Sequence, residues 1–168
     1  MAHVLNLIVK IALKYHNYHV ECVQKAVKYI KGSTQRIKKF KKAIKYVGLE
    51  TNTFLCGDRP TRWNSTFELL KTTYELWEAF VEFGIKEKSY EKDIQRVPDR
   101  LDFEAIKEMV DFLEKFKTET ENVSAPTKPL VHRLIREILD VNLHLKKWST
   151  KVNFVHLIPD MKDKYDKY

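Results

Sequence analysis

The chain has 168 residues, 43% of them hydrophobic, and a formal net charge of +8 at pH 7. This composition excludes a disordered segment and is sufficient for one buried core. Two cysteines, Cys22 and Cys56, are too few for a disulfide framework and favour a reducing intracellular compartment. Asn6 and Lys10 interrupt the apolar run at the start, so we predict neither a signal sequence nor a membrane span.

Helical periodicity dominates the first third of the chain. Apolar residues at helical spacing predict a first helix over residues 2–15 and a second over residues 18–31. A third helix is predicted after Ser33 or Thr34, because either hydroxyl can accept hydrogen bonds from the free amides of a first turn. Gly48 supplies the left-handed residue that ends this helix.

The middle of the chain alternates between predicted helix and predicted connection. Residues 49–60 are predicted as a loop with at most a short extended piece. A fourth helix is predicted to begin at residues 63–65 and to end at Gly84. The charged residues 85–101 are predicted as a connection, and Asp102 is predicted to cap a fifth helix.

Prolines interrupt the helical pattern in the last third of the chain. Residues 125–129 contain two prolines and are predicted to break the chain, since proline lacks the amide that a helix interior needs. A sixth helix is predicted over residues 130–148, and a last one after Pro159, with Met161 and Tyr165 facing inward. The sequence therefore predicts an all-α fold with at most a short strand.

Positive charge is concentrated in one segment. No acidic residue lies between Glu21 and Glu50. The basic residues between them carry more than the whole net charge of +8: Lys25, Lys28, Lys31, Arg36, Lys38, Lys39, Lys41, Lys42 and Lys45. Such a local patch is typical of proteins that bind a polyanion.

The third predicted helix carries lysines on one face and apolar residues on the other. We predict that this helix and the residues before it contact about five DNA phosphates without reading the sequence. The predicted contact residues are Lys31, Arg36, Lys38, Lys39, Lys41, Lys42 and Lys45. The alternative is a solubilising lysine-rich face that binds nothing. The run from Lys38 to Lys42 also fits a nuclear import segment.

Two segments carry a resemblance to a known family. Residues 3–9 have the sequence His-Val-Leu-Asn-Leu-Ile-Val. Residues 61–66 have the sequence Thr-Arg-Trp-Asn-Ser-Thr and follow Asp58. In this combination and order they resemble the hAT-family transposases, in particular the zinc-finger-BED, RICESLEEPER-type members. The resemblance implies that residues 1–168 are the helical part of an RNase-H-like transposase domain.

The same resemblance implies that the catalytic groups are elsewhere. In this family two aspartates and one late glutamate hold two divalent metals for phosphoryl transfer. By the family's order both aspartates precede residue 1 and the glutamate follows residue 168, so we expect a truncated domain. Asp58 matches a family position that is not catalytic. We therefore predict no enzymatic activity, no catalytic residue, no metal and no cofactor.

Two histidines and two cysteines are candidate metal-binding or catalytic residues. His16 and His19 lie three residues apart, but zinc takes three or four ligands and no partner lies at ligand spacing nearby. We predict that both are surface histidines near a helix break. Cys22 and Cys56 have no His–Asp arrangement that suggests a nucleophile, and we predict small buried apolar side chains.

The adjacent Arg62 and Trp63 have two interpretations. Arginine binds phosphate with two nitrogens, and the indole offers a face on which an unpaired base can stack. In active relatives the matching pair is implicated at the transposon end, where a base is flipped. The alternative is a core tryptophan at a helix start, with Arg62 paired to a nearby carboxylate. The sequence leaves both open.

These observations predict a nuclear, non-catalytic fragment of a domesticated or decayed hAT-like transposase. Its predicted partner is DNA, bound through phosphates. The alternative is a structural or protein-interaction remnant without specific nucleic-acid binding. Because the parent domain's sheet would cover part of this region, we also expect a large exposed apolar patch near the first helix, which a protein partner could bind.

Overall fold

The computed structural model describes residues 2–50, 54–57, 63–123 and 131–166. Within these residues the chain forms nine α-helices and no strand, which confirms the predicted all-α fold. The helices are α1 (Ala2–Tyr15), α2 (Asn17–Lys31), α3 (Thr34–Tyr46), α4 (Trp63–Glu75), α5 (Trp77–Lys86), α6 (Lys88–Ile94), α7 (Arg100–Val123), α8 (Val131–Trp148) and α9 (Leu157–Tyr165).

Local sequence signals place α1, α2 and α3 correctly. Ser33 has the extended backbone of an N-cap residue before α3, although its side chain makes no capping hydrogen bond. Gly48 has a φ of 75°, the left-handed conformation predicted for the residue that ends this helix. Glycine adopts this conformation without a steric penalty because it has no Cβ.

The predicted fourth helix is two helices. It breaks at Leu76, whose amide bonds to the Thr73 carbonyl at 3.2 Å in a tighter turn than an α-helix has. Just before the break, Thr72 and Thr73 donate their hydroxyls to backbone carbonyls one turn earlier, a pattern that bends helices. Gly84 does not end the second piece, because α5 continues to Lys86.

The predicted connection over residues 85–101 contains a helix. This helix, α6, is anchored by Tyr90, which is fully buried. The Tyr90 ring lies 5.2 Å from the Tyr29 ring and 5.1 Å from the Phe83 ring, measured between centroids. Because the residues around Tyr90 are mostly charged or polar, the composition of this segment does not indicate that it contains a buried residue.

The start of α7 is capped by two aspartates rather than by Asp102 alone. The Asp99 carboxylate accepts from the Asp102 amide at 3.0 Å, and the Asp102 carboxylate accepts from the Asp99 amide at 2.9 Å. This reciprocal pair satisfies two amides of the first turn, as a capping box does. Asp102 therefore lies inside α7, and Asp99 takes the capping position.

The last helix begins earlier than predicted. It starts at Leu157, so Pro159 lies in its first turn, where a missing amide costs nothing. Met161 and Tyr165 are buried, as predicted, and the Tyr165 hydroxyl donates to the Ile138 carbonyl at 2.9 Å. The predicted break at 125–129 lies outside the described residues.

The chain divides into two compact units. We call residues 16–110 the central unit and residues 1–15 with 111–168 the terminal unit. The core of the central unit contains an aromatic cluster of Phe40, Phe80, Phe83, Tyr90 and Phe103. That of the terminal unit contains a second cluster of Phe112, Phe116, His144, Trp148 and Phe154.

The exposed apolar side chains do not lie where we expected them. Among the described apolar side chains of α1, Tyr15 is exposed and the others are buried or partly buried. Other exposed apolar side chains lie on α5 of the central unit, at Trp77, Val81 and Ile85, and in the terminal unit, at Leu139, Leu143, Val152 and Val155.

Among the helices that the structure describes, none is both long and apolar enough to cross a bilayer.

Candidate nucleic-acid interface

The α3 helix is fixed by one apolar face. Phe40, Ala43 and Ile44 are buried on it. The Phe40 ring lies 4.8 Å from the Phe80 ring and 5.7 Å from the Phe83 ring, so the helix is held against α5. Aromatic contacts of this geometry add to the gain from burying the rings.

Three lysines lie on the opposite side of α3. An α-helix has 3.6 residues per turn, so Lys38, Lys42 and Lys45 follow one another along the face that points away from Phe40. All three are exposed, and within the described residues none forms an ion pair. We call these three residues the outward row. Their charges are available to an external partner.

Two of the other predicted contact residues form hydrogen bonds within the protein. Lys31 donates to the Leu55 carbonyl at 2.9 Å. Arg36 lies over the Tyr29 ring, with its guanidinium carbon 3.7 Å from the ring centroid, and donates to the Tyr29 carbonyl at 3.1 Å. Its other nitrogen is 3.7 Å from the Asp93 carboxylate. Both residues therefore have structural roles in the central unit.

The last two predicted contact residues flank the outward row. Lys39 forms an ion pair with Glu87, and this hydrogen bond, helped by Ser89, lowers the pKa of Glu87. Lys41 remains exposed, and its ammonium lies 5.2 Å from the centroid of the Phe54 ring. Of the seven predicted contact residues on and before α3, three or four lysines thus remain for phosphates.

Trp63 is a core residue. It is the first residue of α4 and is only 8% exposed, with its ring centroid 6.5 Å from that of Phe67 in an edge-on arrangement. Of the two interpretations of Trp63, this burial favours the core tryptophan over the base-stacking site. Arg62 lies outside the described residues.

The two histidines are not both surface residues. His16 is 8% exposed, and burial lowers its pKa. The His19 side chain is 29% exposed, and its Nδ1 lies 2.7 Å from an Asp102 carboxylate oxygen. Within the described part of the chain, no three or more His, Cys, Asp or Glu residues are arranged to hold a metal.

The network around Asp102 could not be predicted from the sequence. This carboxylate is fully buried and accepts from Arg96 through both oxygens, each at 2.9 Å, in addition to the contacts with His19 and Asp99. Burial alone raises the pKa of Asp102, but the Asp99 amide, His19 and Arg96 outweigh it and lower the pKa. The network joins α2 to the start of α7.

Cys22 lies beside this network and is not a nucleophile. Its thiol is buried and lies 3.7 Å from the Arg96 carbonyl oxygen. Burial, followed by the nearby Asp102 charge, raises its pKa to about 11. A thiol with such a pKa holds its proton at neutral pH and is unreactive. Cys56 is partly exposed.

Comparison with known proteins places the chain among the helical domains of transposase-derived, RNase-like proteins. A family model described as the ZBED1 RNase-like helical domain matches residues 1–112. The chain belongs to this family, which confirms the resemblance seen in the sequence.

Two curated relatives are similar along the whole chain. Both are rice (Oryza sativa subsp. japonica) proteins, zinc finger BED domain-containing protein RICESLEEPER 2 and RICESLEEPER 1. Each is 21% identical over 169 residues, and the alignment covers 99% of this chain. The chain spans only 23% of the length of either relative. No solved structure matches.

Proposed function

We propose that this chain is a non-catalytic part of an hAT-transposase-derived protein that binds DNA through the outward row of α3. The observation that carries the proposal is the row itself, three exposed lysines on one helix face without an ion pair in the described part of the chain. The names of the rice relatives, which include a zinc finger BED domain, agree with a nuclear protein that acts on DNA.

Electrostatic repulsion within the outward row favours a polyanionic partner. Residues three or four apart on a helix are neighbours, so Lys38, Lys42 and Lys45 repel one another. A bound phosphate backbone would replace that repulsion by attraction and release the counterions condensed on DNA. Lysine reads phosphate and not base edges, so binding should be independent of DNA sequence.

The salt dependence of binding follows from the number of lysines. Each phosphate contact contributes about −0.9 to the slope of log affinity against log salt concentration. Three contacts from the outward row predict a slope near −3, and a fourth from Lys41 a slope near −4. Fluorescence anisotropy with two labelled duplexes of unrelated sequence measures it. A slope near zero, or a strong preference for one duplex, would contradict phosphate-mediated binding.

The non-catalytic part of the proposal rests on the family match, which is to the helical region of an RNase-like domain. We expect purified protein neither to nick nor to join transposon-end DNA with Mg²⁺ or Mn²⁺. Gel assays on labelled DNA test this, with a mock purification as the control. Cleavage that follows the protein through every column, and is absent from the mock, would overturn the proposal.

The second candidate is a protein-interaction role. It is favoured by Trp77, Val81 and Ile85, which follow one another on α5 at helical spacing and are 40%, 44% and 71% exposed. Exposed apolar rows of this kind often mark protein interfaces. The two candidates differ in one respect that is easy to measure, because only the first requires DNA affinity that depends on the outward row.

A further inference from the structure

A groove opens beside the outward row. It has a volume of about 250 Å³ and is lined by Lys39, Lys42, Ala43, Phe83, Lys86 and Glu87. Lys39 and Lys42 come from α3, whereas Phe83 and Lys86 come from α5. Lys39 pairs with Glu87 and Lys86 with Glu82, so Lys42 supplies the positive charge of the groove that no described carboxylate balances. Its volume is below that of pockets for whole small-molecule ligands, but it is sufficient for a phosphate and part of its sugar.

An exposed aromatic ring lies next to this groove. Tyr46 follows Lys42 by one turn of α3 and is 71% exposed. The Lys86 ammonium lies 3.6 Å from the centroid of the Tyr46 ring, and it also pairs with Glu82 at 2.5 Å. The ring is therefore held beside the lysines of the groove while most of its surface remains open to solvent.

We propose that Tyr46 and this groove bind one unpaired nucleotide of single-stranded DNA. The phosphate would lie by Lys42, and the base would stack on the open part of the Tyr46 ring. An aromatic ring beside lysines is the arrangement by which proteins bind single strands, since every base has a face that can stack. In a duplex the base faces are already stacked, so Tyr46 favours the single strand.

This inference rests on the proposed function, because the outward row supplies the neighbouring phosphate contacts. It also gives the surface a stacking residue in place of Trp63, which is buried. The sequence alone does not mark Tyr46 as a site, because tyrosines at helical spacing are more often part of a core. Its exposure is what distinguishes it.

The test compares three labelled ligands of equal length, a single strand, the same strand with abasic sites throughout, and a duplex. We expect Tyr46→Ala to weaken single-strand binding about tenfold, within the range for loss of one stacked base. Binding of the abasic strand and the duplex should change less than about twofold, since neither offers a free base to Tyr46. Tyr46→Phe keeps the ring and should bind like the unmodified protein.

The matched control is Tyr18→Ala. Tyr18 is also exposed, at 64%, and also lies under a cation, with the Arg96 guanidinium carbon 4.2 Å from its ring centroid. It belongs to α2, and its removal should leave all three affinities unchanged. Circular dichroism melting of each variant shows whether it is folded.

The outcomes separate the two proposals. If the unmodified protein binds none of the three ligands, the proposed function itself fails. If it binds all three, and Tyr46→Ala binds the single strand as tightly as the unmodified protein does, DNA binding stands and the nucleotide site is overturned. An equal loss on all three ligands would also overturn the site, because stacking requires a base.

Discussion

Replacing Asp102 with alanine is expected to lower the free energy of unfolding by about 3 kcal/mol, the low end for removing one partner of a buried ion pair. Asp102 is fully buried, and its loss leaves Arg96, His19 and the Asp99 amide without their shared acceptor. The low end applies because the Arg96 and His19 side chains are 34% and 29% exposed and can turn to water. Urea denaturation measures the change.

Glu104→Ala is the matched control for Asp102→Ala. Glu104 lies on the same helix and pairs with Arg100 at 2.7 Å, but its side chain is 55% exposed and that of Arg100 is 86% exposed. An exposed pair of this kind contributes less than about 1 kcal/mol. If both variants lose a similar small amount of stability, the Asp102 network does not join α2 to α7 in the way that its geometry indicates.

The same network predicts a pH dependence. The folded protein holds the pKa of Asp102 below its usual value, which is about 4 in an unfolded chain. A carboxylate of this kind stabilises the fold fully above its unfolded pKa, and this contribution is lost as the pH falls through the folded pKa. The difference in unfolding free energy between the unmodified protein and Asp102→Ala should therefore narrow below about pH 4.

Replacing Trp63 with alanine is expected to cost about 3–5 kcal/mol of stability, the range for removing a large buried aromatic side chain. The ring is 8% exposed and packs edge-on against Phe67, so its loss leaves a cavity at the start of α4. Any effect on DNA affinity should be the same for single strands and duplexes. A melting curve and a pair of titrations measure both properties.

Trp77→Ala is the control for the loss of an indole. Trp77 is 40% exposed, and its ring centroid lies 6.3 Å from that of Phe103, so its removal should cost clearly less than that of Trp63. A Trp63→Ala protein that melts like the unmodified one, but has lost a preference for single strands, would show that Trp63 stacks on a base after all.

The helices of the first third could be predicted because their signals are local. Apolar spacing defines α1 to α3, and Gly48 marks the end of α3 through its own backbone preference. The break at Leu76 and the helix α6 could not be predicted in the same way. The break has neither glycine nor proline, and α6 depends on Tyr90, which packs against Tyr29 from a distant part of the chain.

The candidate site was predictable in composition but not in geometry. The sequence shows where the lysines are, but the acceptor of Lys39 is Glu87, 48 residues away. Likewise, Asp102 and His19 are 83 residues apart, so neither reveals the other in the sequence. Ion pairs between distant parts of the chain therefore determine which lysines remain available to bind phosphate. The burial of Trp63 favours one of its two interpretations.

Binding of DNA phosphates by the outward row can be tested by reversing the charge of its three lysines. The variant carries Lys38→Glu, Lys42→Glu and Lys45→Glu. Its control carries Lys146→Glu, Lys147→Glu and Lys162→Glu, three exposed lysines of the terminal unit, so both variants have the same net charge. The measurement is duplex affinity at low salt, with circular dichroism to show that both variants are folded.

We expect the outward-row variant to lose at least about 100-fold in affinity, together with most of its salt dependence, because its phosphate contacts become repulsive. The control should retain most of its affinity, because salt screens the effect that a change in net charge alone has on DNA binding. Equal affinities for the outward-row variant and the unmodified protein would show that the outward row does not bind DNA and would favour the exposed apolar row of α5 as the functional surface.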